Sequence, residues 1–179
     1  MSTPLRFVLR YDPVFLELGK RLARGEWGRP TGVTVSAVLA EAAAERDFIA
    51  FMFLLFGHPV SASRSDCNTF TQYLFLYENY ALTAECVVAE EAPLYGRSAA
   101  VTGSLSCSSS FAEFRLGAER LLTVASGVSK AYRASMAEGG GERYRSMDER
   151  ASGGPVVVSV DADAAALAAA DRLLAGSYR

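Results

Sequence analysis

The stretch AAAERDFIAFMFLLFGHPVSAS, residues 42–63, decides the fold. From Phe48 to Phe56 it is unbroken apolar sequence, so after its charged first turn the helix it predicts has no polar face. A helix of that kind is buried on most sides. The run has nine residues, whereas a bilayer span needs roughly 20. Gly57 and Pro59 stop the helix. Just upstream, GVTVSAVLAE (32–41) alternates Val33, Val35 and Ala37 onto one face, as a strand does.

Working outward, LRFVLR (5–10) reads as a short strand. Asp12 then offers an N-cap and Pro13 a first helical turn. Phe15, Leu18 and Leu22 form an apolar stripe that carries a helix to about Arg24, and Gly25 sits where a C-cap would end it. Downstream, TFTQYLFLYEN (69–79) and YALTAECVVAE (80–90), joined near Glu78-Asn79, form a hairpin signal. Residues 97–107 and 111–125 continue the meander, 127–137 read as a short helix or loop, and the glycines at 139–141 form a flexible break. PVVVSV (155–160) reads as a strand, and Asp161 or Asp163 as the cap of an alanine-rich helix ending near Gly176. This order predicts an α+β fold, an open, mostly antiparallel sheet with helices packed on one face, with residues 1–179 as one domain.

Composition narrows the function classes. Half of the 179 residues are apolar and the net charge is −2, which suits a globular core and gives no basic excess for a nucleic-acid backbone. His58 is the only histidine, which excludes a multi-histidine metal site. Lys20 and Lys130 are the only lysines among 18 basic residues, a bias that fits a high-GC bacterial genome. Cys67, Cys86 and Cys107 lack CxxC spacing and read as reduced, mostly buried thiols of a cytoplasmic protein, and the N-terminus shows no signal-peptide apolar region.

The segment LRYDPVFLELGKRLARGEWGRP, with Arg10, Pro13, Gly25 and Gly28, resembles the start of the C-terminal domain of the Gfo/Idh/MocA oxidoreductases. LLFGHPVSAS resembles that family's WLLG-x-P helix end and the strand after it. The hairpin, later strands and closing helix follow the family's order. The resemblance implies a substrate and oligomerisation domain whose nucleotide-binding Rossmann half, with its glycine fingerprint and Glu-Lys-Pro lysine, is absent from these residues. No cofactor is therefore expected. It also implies that the family's His-x-x-Asp pair is rewritten, with Asp47 at the histidine position and Ala50 at the aspartate position.

Asp47 is the candidate catalytic residue, as a general acid or base, and the bland reading of the same residue is a helix N-cap. Arg10 could clamp a carboxylate, enolate or phosphate, or simply pair with Asp12, Glu41 or Glu45. Tyr73 and Tyr77 share a strand face with Phe75, while Gln72, Leu74 and Leu76 share the other. The two tyrosines and Glu85, expected opposite one of them across the hairpin, are candidate substrate contacts; the alternative for the tyrosines is packing or an interface. His58 reads as a turn residue, and Ser104, Ser106 and Ser108–Ser110 lack a nucleophile elbow. Glu85, Glu90 and Glu91 have no metal-ligand spacing.

These readings predict a cofactor-independent small-molecule enzyme running a cyclisation, isomerisation or elimination step in bacterial specialised metabolism. The alternative is a non-catalytic ligand-binding or partner subunit that completes a split oxidoreductase with a separate nucleotide-binding protein. An aromatic sheet face left open would make the chain a homodimer or higher oligomer, sheet on sheet. Neither a membrane nor nucleic acid is expected as a partner.

Overall fold

The computed structural model describes residues 13–39, 41–88, 100–116, 121–126, 134–135 and 160–178. Helix α1, Pro13–Arg24, opens on a proline whose missing N–H costs nothing at a helix start. Val14 and Leu18 are fully buried on its inner face. Gly25 ends it at φ +64, a left-handed turn that lets the Glu26 N–H return to the Arg21 carbonyl. Strand β1 is Pro30–Leu39, and helix α2, Ala44–Phe56, follows. Every α2 residue from Phe48 to Phe53 is buried, as its all-apolar sequence requires. Gly57 closes it at φ +79.

Strands β2 (Ser61–Asp66), β3 (Thr71–Leu76) and β4 (Ala81–Val88) come next. They are followed by β5 (Ala100–Cys107), β6 (Ser110–Leu116), β7 (Leu121–Ser126) and β8 (Ala134–Ser135). Helix α3, Val160–Leu174, is last. The described strands form one sheet in the order β2-β3-β4-β1-β5-β6-β7-β8, in which β1 and β4 run parallel and every other pair is antiparallel.

The sheet alternates cleanly. Val33, Val35, Ala37, Tyr73, Phe75, Leu82 and Ala84 point under the helices and are buried, while Gln72, Leu74 and Leu76 face the other way. At the centre, Gly103 of β5 lies opposite Phe114 of β6; a Cβ on Gly103 would meet the Phe114 ring at 2.4 Å and the Thr34 carbonyl oxygen at 2.9 Å. Glycine is needed there because the aromatic ring lies across the backbone. Helix α3 packs on α2 through Ala166, Ala169, Ala170 and Leu173, small residues that admit close approach. Gly176, at φ +70, ends α3.

Three local readings change. Val160 begins α3 rather than ending a strand, which places Asp161 and Asp163 in the first helical turn instead of at the cap. Residues 111–125 hold two strands. Cys67 is exposed, whereas Cys86 is buried and Cys107 half-buried, and all three are unpaired. The strand expected at 5–10, and nearly all of the 127–137 and 139–159 segments, lie outside the described residues. Among the described residues, no helix is long and apolar enough to cross a membrane.

Candidate functional site

The first turn of α2 is the polar end of that helix. It carries Glu45, Arg46 and Asp47 on the positive end of the helix dipole, where carboxylates are favoured. The helix starts at Ala44 with Ala43 at the cap position and no side-chain capping bond, so Asp47 lies within the first turn and is not the N-cap. It is half-buried and acts electrostatically on Arg46. Arg46 in turn donates to both carboxylate oxygens of Asp171 on α3, at 2.6 and 2.7 Å, which raises its own pKa and lowers that of Asp171.

Glu45 turns toward the sheet. The Tyr73 hydroxyl donates to its Oε1, and Arg64 Nε donates to the same oxygen at 3.1 Å. Arg64 also donates to Asp66 at 2.5 Å, and the Thr71 hydroxyl donates to Asp66 at 3.1 Å. Cys86, 3% exposed, sits beneath this network; burial, with the Glu45 charge adding to it, pushes its thiol up to about 11, so it stays protonated and inert.

A cavity of about 640 Å³ opens at the other end of α2. Its walls come from the second half of α1, from Leu54–His58, and from the β3–β4 turn with Tyr77 and Tyr80. Those two rings stack 4.4 Å apart and 4° from parallel, and the Tyr77 hydroxyl donates to the Gly57 carbonyl at 3.1 Å. Burial, then Tyr80, holds the Tyr77 phenol protonated, well above the ordinary tyrosine range. Burial also lifts Tyr80, to about 12.

The sequence candidates therefore separate into different places. Tyr73 and Asp47 belong to the N-terminal end of α2, although Tyr73 is fully buried and reaches that end through Glu45. Tyr77 lines the cavity near Gly57, about 15 Å along the helix from Asp47. Glu85 does not face either tyrosine. The register pairs it with Gln72, one residue out of phase with Tyr73, so it projects from the opposite sheet face and accepts a hydrogen bond from Ser36 at 2.8 Å. Arg10 lies outside the described residues. The sequence reading missed Glu45 as a network centre and Arg64 altogether; their only sequence signal is charge on elements flanking an apolar core. The serines of the β5–β6 turn have a structural task, Ser109 N–H and Ser110 Oγ both donating to the Trp27 carbonyl at 3.3 Å.

This architecture recurs in solved oxidoreductases. Levoglucosan dehydrogenase in complex with NADH superposes on 96% of the chain with a TM-score of 0.63 at 14% identity. A structure described as an oxidoreductase from Thermotoga maritima gives 0.61 at 12% identity over 96% of the chain. One described in the same way from Bacillus subtilis gives 0.58 at 12% identity over 95%. The fold is that of the Gfo/Idh/MocA C-terminal domain. The chain spans 60–62% of the length of these Gfo/Idh/MocA-type structures. No protein-family model and no curated protein sequence matches it. Among the described residues no cluster of His, Cys, Asp and Glu has the makings of a metal site.

Proposed function

We propose that this chain is a small-molecule enzyme that moves a proton instead of a hydride, with residues 1–179 acting as one domain and Asp47 as the acid–base group. The observation that carries this reading is the place of Asp47, half-buried in the first turn of α2 at the positive end of the helix dipole. Glu45 in the same turn is bound by Tyr73 and Arg64. Glu45, Tyr73 and Arg64 position the turn, and Asp47 does the chemistry. Helix α1 runs beside α2 in the same direction, with Phe15 4.9 Å from Phe51 and Gly19 against Leu55. The start of α1 therefore lies toward the Asp47 end, and Arg10, outside the described residues, enters this proposal from the sequence alone. In the proposed isomerisation of a hydroxyketone, the Asp47 carboxylate takes a proton from the hydroxyl-bearing carbon next to the carbonyl. The Arg10 guanidinium stabilises the enediolate, whose hydroxyl proton passes to the former carbonyl oxygen, and the Asp47 carboxylic acid returns its proton to the former carbonyl carbon. No electrons leave the substrate and no co-reactant is needed.

The test is deuterium incorporation from D2O into dihydroxyacetone and cyclic hydroxyketones, followed by proton NMR without NAD(P). Exchange by the wild type that falls about a hundredfold in Asp47→Asn supports the reading, and undiminished exchange in that variant overturns it.

A second reading rests on a separate observation, that the neighbour with a TM-score of 0.63 is a dehydrogenase in complex with NADH. On that reading the chain is the substrate-side partner of a separate nucleotide-binding protein. Exchange or turnover that appears only when such a protein and NAD(P) are added favours it.

A further inference from the structure

We propose that the cavity at the C-terminal end of α2 is a binding site for a small cationic ring compound, a primary amine carried on an aromatic or alicyclic ring. Its volume of about 640 Å³ lies within the range of small-molecule sites. It stands at the opposite end of α2 from Asp47, so it is independent of the proton-transfer reading.

Gly19 points to a purpose for the space. It occupies the interior of α1, where glycine is the least favourable residue after proline. Nothing in the packing requires it: a Cβ there would find Leu55 at 4.0 Å, an ordinary contact, and no other atom nearer. Its absent side chain leaves one wall of the cavity open.

The rest of the lining sets the ligand chemistry. The stacked Tyr77 and Tyr80 rings give a stiff wall, fixed by the Tyr77 hydrogen bond to Gly57, against which a ring can lie and a cation can be held. Glu78, at the turn between them, supplies a carboxylate, and no lysine or arginine is present among the described lining residues. An anion would meet the Glu78 carboxylate, with His58 and the Asn79 amide as its side-chain nitrogen donors among the described lining residues. An ammonium group would find a carboxylate, aromatic faces and the Asn79 side chain.

The probes are phenethylamine, its neutral analogue phenylethanol and its anionic analogue phenylacetate, with dissociation constants read by NMR titration of the full chain. Phenethylamine is expected to bind about tenfold more tightly than phenylacetate. Filling the cavity with Gly19→Leu should weaken phenethylamine about tenfold or more, and Glu78→Gln should abolish its advantage over phenylethanol. If Gly19→Leu fails to fold, Tyr80→Leu removes one ring of the wall and is read in the same way. Asp47→Asn should leave binding unchanged, which separates this site from the proposed chemistry. Equal binding of phenylacetate, no binding by any probe at millimolar concentration, or full affinity in both cavity variants overturns the proposal.

Discussion

The Tyr73 hydroxyl donates a hydrogen bond to the Glu45 carboxylate, tying strand β3 to the first turn of α2. Tyr73 is completely buried, and among the described residues Arg64 also donates to Glu45. Tyr73→Phe keeps the ring and deletes the bond, leaving a largely buried carboxylate oxygen short of a partner. The expected cost is about 1–3 kcal/mol, read as a lower urea midpoint at unchanged slope.

Two glycines should respond to alanine in opposite directions. Gly103→Ala drives a methyl into the Phe114 ring and the Thr34 carbonyl, and should cost about 1–3 kcal/mol. Gly19→Ala meets only an ordinary contact with Leu55 and should stabilise by about 0.5–1 kcal/mol. Urea melts of the two variants beside the wild type check both signs.

The Arg46–Asp171 pair predicts a specific acid limb. Its hydrogen bonds hold the Asp171 carboxyl below its usual range, so its contribution to stability is complete above the unfolded value of about 3.9 and is lost as pH falls through the lower folded value. Both side chains are largely exposed, at 44% and 53%, so screening limits the pair to a few tenths up to about 1 kcal/mol. Asp171→Asn should lower the neutral-pH urea midpoint by that small amount and flatten the fall below about pH 4. At about 1 M salt the difference should shrink.

Local pattern made much of the fold legible. Alternation placed Val33, Val35 and Ala37 on one face, the apolar run gave α2, and the Glu78-Asn79 turn gave the β3–β4 hairpin. The parallel pairing of β1 with β4 was not legible, because it joins segments about 50 residues apart and leaves no local trace. The candidate site was half legible for the same reason. Asp47 and Tyr73 stood out by position and residue type, whereas Glu45 and Arg64 become partners only when β2 and β3 fold beneath α2. Glu85 was misplaced by one residue of register, which in a sheet means the other face.

The sheet's association surface also shifts. The aromatic face expected to remain open is covered by the chain's own helices, and the face away from them carries Ser and Thr, the charged Glu85, Glu113 and Arg115, and exposed Leu74, Leu76, Val87 and Phe111. We propose that two copies pair through this second face. Light scattering should give a dimer mass for the wild type at micromolar concentration and a monomer mass for Leu74→Glu combined with Leu76→Glu; a monomeric wild type contradicts the proposal.

The central claim is that Asp47 moves a proton without a nicotinamide. The most direct measurement is the rate of deuterium incorporation into a bound hydroxyketone by the purified chain in NAD(P)-free D2O, for the wild type and for Asp47→Asn of matched urea stability. Measurable exchange is expected in the wild type, with a loss of about a hundredfold in the variant. Equal rates in the two proteins, or exchange that requires added NAD(P), would contradict it.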